Sequence, residues 1–182
     1  KGASQGEGLG NKFLTNIRET DALLQVVRCL DDGNVVHVDG SIDPIRDVEV
    51  IEAELIIADF QMMENRLGRV QKAARVDKAI AATLPTFENL LAHLGSGKMA
   101  HDFEDKDTEQ GKAVFKESQF LTDKKVIYCC NVDEDGLLED NDYVKAVEAY
   151  AAERGSDVVK ICAKMEEDLN GMSNEERDEF LH

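Results

Sequence analysis

Two short polar segments each close an apolar run in the second half of the chain, and both could hydrogen-bond to a ligand. The segment NVDE (131–134) follows KKVIYCC, and CAK (162–164) closes DVVKIC. Ligands of open α/β sheets bind at the carboxyl ends of the strands, so both segments lie where a nucleotide base would be held. The alternative for Asn131 is an ordinary turn residue at a strand end.

A cluster of glycines near the start of the chain could bring the backbone close to a ligand. Gly6, Gly8 and Gly10 lie in a polar stretch just before the helical pattern KFLTNIRET. Glycine loses more entropy on folding than any other residue, so such a cluster marks a turn, a close approach to a ligand or a segment that changes conformation. An unstructured terminus is the alternative.

Three short apolar runs predict the strands that would position these segments. They are DALLQVVRC (21–29), KKVIYCC (124–130) and DVVKIC (157–162), with helical patterns between them. Such runs are typical of a parallel sheet that is covered on both faces, and the sequence therefore predicts an α/β fold. The four cysteines lie in or at the ends of these strands, where we expect buried thiols that pack as small hydrophobes.

Between the first two strands, apolar residues repeat at alternating spacings of four and three, which predicts two helices packed as an antiparallel hairpin. Pro85 should kink the second helix or break it. The hairpin either covers the sheet or projects as a partner-binding arm. The segment 95–112 is glycine-rich and then acidic, and we expect it to be a mobile connection. The repeating positions are Ile56, Phe60, Met63, Leu67, Val70 and Ala74, then Ile80, Leu84, Phe87, Leu91 and Leu94.

Composition indicates a cytoplasmic protein. The chain of 182 residues carries a net charge of −17, and its sequence shows neither a targeting segment nor an apolar run long enough to span a bilayer. The acidic balance argues against strong binding to a phosphate backbone, so we expect contacts with nucleic acid to be indirect.

Longer segments of the sequence carry a family resemblance. The runs KGASQGEGLGNKFLTNIRETD, VVRCL, HVDGSIDPIRDVEVIEAEL, NVDEDG and ICAKMEEDLNGMSNEERDEFL together resemble the YchF or Obg-like ATPase family of P-loop NTPases. The resemblance implies part of a P-loop NTPase G domain, with a mostly parallel sheet and an inserted coiled-coil hairpin. In that family a Walker A loop precedes the segment matching Lys1 and a TGS domain follows the one matching His182. We therefore expect this chain to be an internal piece of a longer protein.

The one lookalike of a Walker A loop in this chain is GSGK (95–98), and it does not fit. A Walker A loop needs an earlier glycine where Ala92 stands, and a serine or threonine where Met99 stands. We interpret GSGK as a loop that ends a helix.

The resemblance also divides the chain and assigns its site. It implies a first G-domain part at 1–45, a helical coiled-coil insertion and connection at 46–120, and a second G-domain part at 121–182. Mg²⁺ is the implied cofactor, with its ligands expected upstream of this chain. The switch II loop, ordered by a γ-phosphate and loosened after hydrolysis, would contain Lys1, Gly2, Ser4, Gly6, Gly8 and Gly10. The implied base-binding residues are Asn131, Val132, Glu134, Cys162, Ala163, Lys164 and Leu30.

The segment NVDE indicates which base is read. Guanine-specific NTPases use NKxD, in which the lysine stem packs on the base and the aspartate accepts two hydrogen bonds from guanine. Val132 replaces that lysine and Glu134 the aspartate, and the added methylene moves the acceptor further than a bidentate hydrogen bond tolerates. We therefore expect a preference for ATP over GTP. Leu30 stands where the family often has an aromatic residue near the base, which costs about 1 kcal/mol of stacking.

The hydrolytic step needs a group that positions the attacking water, a role that glutamine has in Ras-like enzymes. His37, in the loop NVVHVDG, is the candidate, because a neutral imidazole can orient water. The alternative is a loop histidine without a chemical role.

Two functional classes follow. The first is a monomeric, nucleotide-hydrolysing switch that acts through the ribosome or a ribosomal subunit and has no membrane partner. The second is a non-catalytic module in which the acidic helical hairpin binds a protein partner. If these residues are the whole protein, we expect no hydrolysis, because the phosphate cradle and the Mg²⁺ ligands are missing.

Overall fold

The computed structural model describes residues 11–31 and 41–170, which divide between two compact units. The helical unit comprises residues 11–23 and 49–125, and the sheet unit comprises residues 24–31, 41–48 and 126–170. No helix in these described ranges has both the length and the hydropathy that crossing a bilayer requires. The strands are β1 (Ala22–Arg28), β2 (Lys125–Asn131) and β3 (Asp157–Ile161). The helices are α1 (Asn11–Arg18), α2 (Pro44–Ala73), α3 (Lys78–Ala81), α4 (Leu84–Gly95), α5 (Glu109–Ser118), α6 (Glu134–Leu138), α7 (Asp142–Arg154) and α8 (Ala163–Asn170).

The three strands form a parallel sheet in the order β1-β2-β3. β2 and β3 pair in register from Ile127 opposite Asp157 to Asn131 opposite Ile161. The helices α6 and α7 lie in the chain between β2 and β3, as a parallel crossover requires. The predicted α/β fold is confirmed, and each strand begins and ends within one residue of its predicted run.

The two faces of the sheet differ. One face packs against α7, and its buried side chains include Val27 and Tyr128 from the strands and Val144 from the helix. Successive side chains of a strand point to opposite faces, so Leu24 and Val26 lie on the other face, where they are 62% and 61% exposed. The expectation of a sheet covered on both faces is therefore wrong at β1, because none of the described residues buries these two side chains, whereas Cys129 on the same face of β2 is 2% exposed.

All four cysteines of the chain are buried, as expected. Cys29 directly follows β1 and Cys130 lies on the neighbouring strand β2, and the hydrogen bond between them together with burial raises the pKa of the Cys29 thiol. Burial likewise raises the pKa of Cys129. Protonated thiols pack as small hydrophobic groups, so these cysteines belong to the core of the sheet unit.

The helical unit contains the predicted hairpin. α2 and α4 run antiparallel, because the Arg66 guanidinium lies 5.3 Å from the centre of the Phe87 ring while the Phe60 ring lies beside Gly95. The apolar residues of both helices join one buried cluster. Pro85 lies in the first turn of α4, where a backbone N–H group would have no intrahelical hydrogen-bond partner, so proline costs no hydrogen bond there. The predicted break at Pro85 is therefore confirmed.

The segment that follows α4 is packed against the helical unit. GSGK ends the helix as predicted, and Gly97 has a left-handed backbone with φ of 88°. The expectation of a mobile connection over 95–112 is wrong, because Ala100 and Phe103 are buried in the same cluster as the hairpin. The N–H of Ala100 donates to the hydroxyl oxygen of Thr122 at 2.8 Å. Two apolar anchors thus hold a segment whose average composition is polar.

A buried carboxylate connects three parts of the helical unit. Asp59, on α2, has no exposed surface. It accepts hydrogen bonds from Arg18 at 2.7 Å and from the backbone N–H groups of Leu121 and Thr122 at 3.0 and 2.9 Å. The Thr122 hydroxyl donates a fourth bond at 2.7 Å. These bonds tie the end of α1 and the turn before β2 to the middle of α2.

Candidate functional site

Asn131 links the two predicted base-binding segments. It ends β2, and its side-chain Oδ1 accepts a hydrogen bond from the N–H of Ala163 at 3.1 Å. Its backbone carbonyl accepts a second bond from the N–H of Cys29 at 2.9 Å. NVDE and CAK therefore meet at the carboxyl ends of neighbouring parallel strands. The side-chain Nδ2 of Asn131 bonds to none of the described residues and is the donor that this turn can offer to a ligand.

Val132 does not present its side chain at this edge of the sheet. The side chain is 1% exposed and belongs to the core that includes α7, and its N–H donates to the carbonyl of Ile161 at 2.8 Å. A Cβ added at Gly136 would lie 2.7 Å from the Cβ of Val132, so a residue without a side chain at 136 permits this packing. The position that guanine-specific motifs fill with lysine is a core position here, and Val132 can contact a ligand only through its backbone.

The two acidic residues of NVDE have different roles. Asp133 caps α6, because its Oδ1 accepts a hydrogen bond from the N–H of Gly136 at 2.7 Å. Glu134 is the first residue of α6, and its side chain is exposed. Capping holds the Asp133 carboxylate against the helix, so Glu134 supplies the carboxylate that this turn can offer to a base.

The CAK segment opens α8. Cys162 is 3% exposed, and its carbonyl accepts the N–H of Glu166 at 3.1 Å. Ala163 contributes its N–H to Asn131, whereas Lys164 is exposed in the first turn of the helix. Lys164 is therefore the residue of CAK that can reach a ligand with a charged group, and Cys162 is a core residue.

Leu30 borders a cleft of about 310 Å³ that the sequence analysis did not identify. Asn141 shapes this cleft, because its Nδ2 donates to the carbonyl of Cys29 at 2.7 Å while its Oδ1 caps α7. The Tyr143 hydroxyl donates to Asp31 at 2.8 Å, and this bond raises the pKa of Tyr143. The cleft is lined by Leu30, Asp31, Asp133, Asp135, Gly136, Glu139, Asp140, Asn141 and Tyr143.

This cleft is too acidic to hold a triphosphate. Five of its lining residues are acidic, and a cleft lined by one sign of charge repels an anion. Lys160 donates to Asp140 at 2.6 Å, and this bond lowers the pKa of Asp140, which keeps its carboxylate charged. Leu30 is the only predicted site residue in the lining. The sequence marks this cleft only through Asn141, a helix-capping residue that stands just before a helical run.

The remaining predicted site residues lie outside the described part of the chain. Among residues 11–31 and 41–170, no group of three or more His, Cys, Asp or Glu side chains is arranged to hold a metal ion. The Mg²⁺ that the resemblance implies therefore has no ligand set among the described residues. The predicted positions outside these ranges are His37, Lys1, Gly2, Ser4, Gly6, Gly8 and Gly10.

Known proteins share both the sequence and the fold of this chain. The ribosome-binding ATPase YchF of Escherichia coli O157:H7 is 46% identical over 182 residues, which cover 100% of this chain and 49% of that protein. The protein of the same name from Bacillus subtilis (strain 168) is 40% identical over 184 residues, covering 100% of this chain and 50% of that protein. The structure of the Schizosaccharomyces pombe YchF GTPase matches with a TM-score of 0.75 and 33% identity, covering 98% of this chain and 49% of that one.

No family model matches the chain. The chain spans about half the length of the curated relatives it matches. Identity of this level runs through the whole chain and is accompanied by the same fold, which confirms the resemblance found in the sequence. Over its whole length, the chain is therefore homologous to the YchF proteins, which are P-loop NTPases.

Proposed function

We propose that the protein carrying this chain binds and hydrolyses a nucleoside triphosphate in the cytoplasm, prefers ATP to GTP and associates with the ribosome. The observation that carries the proposal is the hydrogen bond from Ala163 to Asn131, which joins the two base-binding segments. Two relatives are named ribosome-binding ATPases and a third a GTPase, which supports nucleotide hydrolysis and a ribosomal partner. This chain would supply the base-binding side of the nucleotide site, and residues 46–120 the helical insertion.

The preference for ATP rests on the groups that the site offers. Adenine presents a ring nitrogen acceptor, N7, beside an amino donor, N6. The Nδ2 of Asn131 is a donor that suits N7, and the carboxylate of Glu134 is an acceptor that suits N6. Guanine needs a carboxylate that accepts two bonds in a fixed geometry, and Glu134 is one methylene too long for that geometry. The burial of Val132 supports the same conclusion, because no lysine stem is available to cover a guanine ring.

Titration calorimetry of the full-length protein with non-hydrolysable analogues of ATP and GTP tests the proposal. We expect tighter binding of the ATP analogue. Glu134→Asp shortens the carboxylate to the length that guanine-specific motifs use, so it should shift the ratio of affinities toward GTP by about tenfold, or about 1.4 kcal/mol. Asn131→Ala should weaken both nucleotides, because it removes the donor and the link to Ala163.

Glu167→Asp is the matched control, since it makes the same change at an exposed position of α8. It should leave both affinities unchanged. A strong GTP preference of the unmodified protein, or an unchanged ratio in Glu134→Asp, would contradict the ATP assignment. Failure of the full-length protein to bind either nucleotide would instead support the non-catalytic interaction module.

A further inference from the structure

The turn that follows β1 is held in place from the start of α7. The Nδ2 of Asn141 donates to the backbone carbonyl of Cys29 at 2.7 Å, and the Tyr143 hydroxyl donates to the carboxylate of Asp31 at 2.8 Å. Leu30 lies between these two attached residues, and each bond joins positions that are 112 residues apart in the sequence. The two bonds therefore restrain the chain on both sides of Leu30.

The backbone of Cys29 connects this turn to the base-binding segments. Its N–H donates to the carbonyl of Asn131 at 2.9 Å, and the side-chain Oδ1 of Asn131 accepts the N–H of Ala163 at 3.1 Å. Asn141, Cys29, Asn131 and Ala163 thus form a series of hydrogen bonds across the carboxyl ends of β1, β2 and β3. Ligands of open α/β sheets bind at this edge, so the series runs along the edge to which the proposed function assigns the base.

Capping of α7 explains only one of the two bonds that Asn141 makes. Its Oδ1 accepts the N–H of Val144 at 2.9 Å, and serine or aspartate would cap the helix equally well. The amide differs from these caps because it accepts with one atom and donates with another. The donated bond satisfies the carbonyl of Cys29, a residue that has no exposed surface and follows the last residue of β1. The amide at position 141 is therefore explained by the turn after β1 as well as by the helix.

Tyr143 restrains the other side of the same turn. Its ring packs against the buried core of the sheet unit, which fixes the direction of its hydroxyl. Asp31 is exposed, so water would satisfy its carboxylate without the bond from Tyr143. What the bond adds is a second attachment of the chain beside Leu30.

We propose that Asn141 and Tyr143 are positioning residues of the nucleotide site, which hold Leu30 against the base. The inference rests on the proposed function, because it requires a base beside Leu30. Without the two bonds the turn would sample other conformations, and a nucleotide would bind only the fraction of molecules in which Leu30 is in place. The apparent affinity falls in proportion to that fraction. Leu30 offers no hydrogen bond that could distinguish two bases, so the loss should be equal for adenine and guanine nucleotides.

Titration calorimetry of the full-length protein with non-hydrolysable analogues of ATP and GTP tests the inference. Asn141→Ser keeps an oxygen that caps α7 and removes the amide that reaches Cys29, whereas Asn141→Ala removes both. If the turn is in place for about a fifth of the time in either variant, both analogues should bind about fivefold more weakly. Tyr143→Phe should weaken both analogues less than Asn141→Ser does, because it frees only one side of Leu30. Asn89→Ser is the matched control at an exposed position of α4, and it should leave both affinities unchanged.

Binding stoichiometry and melting temperature separate positioning from folding. A variant that is merely less stable contains less folded protein, so its stoichiometry falls while its dissociation constant stays unchanged. We expect full stoichiometry in both Asn141 variants, and a lower melting temperature for Asn141→Ala than for Asn141→Ser, because only serine still caps α7.

Unchanged dissociation constants in the Asn141 variants would overturn the inference. So would a loss in Asn141→Ala that Asn141→Ser does not share, because capping of α7 would then explain it. A preference of the unmodified protein for GTP, with equal losses of both analogues in the variants, would contradict the ATP assignment and still support the positioning role. Failure of the unmodified protein to bind either analogue would overturn the proposed function, and the positioning role with it.

Discussion

Asp59 shows how a single buried charge can organise the helical unit. Its carboxylate accepts four hydrogen bonds and has no exposed surface, while the side chain of Arg18 is 15% exposed. Asp59→Ala would leave the Arg18 guanidinium and two backbone N–H groups without their acceptor. Removing one partner of a buried pair costs about 3–5 kcal/mol, so we expect a loss of that order in urea unfolding followed by circular dichroism.

The pair between Arg66 and Glu117 provides the control for this prediction. Glu117 is 75% exposed, and exposed ion pairs contribute about 0–1 kcal/mol. Glu117→Gln should therefore change the free energy of unfolding by less than about 1 kcal/mol. Comparable effects of Asp59→Ala and Glu117→Gln would show that the buried network does not stabilise the unit.

Sequence reasoning identified Asn131 but not Asp59, for a physical reason. Asn131 stands at the end of an apolar run, a local pattern that marks the carboxyl end of a strand. Asp59 lies among apolar residues of a long helix, and its partners Leu121 and Thr122 are 62 and 63 positions away. Nothing local distinguishes a carboxylate that meets such partners from one that faces water.

Elements with strong periodicity were predicted well. The three strands and the antiparallel hairpin follow from patterns that repeat within each element. The error over 95–112 arose because composition averages a segment, whereas two of its residues, Ala100 and Phe103, are buried in the apolar cluster of the helical unit. The exposed side chains of β1 were missed because the pattern of a strand shows that it can be buried, not what covers it.

Two glycines in helices test the packing at the scale of elements. A Cβ at Gly68 in α2 would meet nothing within 4 Å, whereas a Cβ at Gly111 in α5 would lie 2.0 Å from the carbonyl oxygen of Asp105. Gly68→Ala should raise the free energy of unfolding by about 0.5–1 kcal/mol, because alanine has less backbone entropy to lose. Gly111→Ala should lower it by about 1–3 kcal/mol, because backbone atoms must move apart.

Urea denaturation of the two variants measures both predicted changes in the free energy of unfolding. Each variant controls for the other, since both replace a helical glycine in the same unit. A stabilising Gly111→Ala would mean that α5 does not approach Asp105 as closely as the structure shows.

The net charge of the whole chain does not show how acidic and basic residues are distributed along it. A chain with 38 acidic and 21 basic residues predicts poor binding to a phosphate backbone. Charge is not spread evenly, however, because residues 65–87 contain five basic residues and one acidic residue, whereas the acidic residues of α2 lie between Asp47 and Glu64. The cleft beside Leu30 has the opposite local charge, so one chain presents surfaces of both signs.

The four cysteines offer a measurement of the sheet unit alone, because all of them lie in it. The thiolate is the reactive form, and both burial and the raised pKa of Cys29 and Cys129 disfavour it. In the native full-length protein at pH 8, we expect iodoacetamide to label these thiols about a thousandfold or more slowly than in urea, as a domain of ordinary stability requires. Peptide mass spectrometry resolves each site.

Cys129 is the most informative of the four thiols about the exposed face of the sheet. Alternation along β2 puts it on the face opposite Cys130, which is the same face as the exposed Val26, yet the Cys129 side chain is only 2% exposed. Rapid labelling of Cys129 without denaturant would show that this face of the sheet opens, whereas equally slow labelling of all four thiols is the result expected if the unit unfolds as a whole.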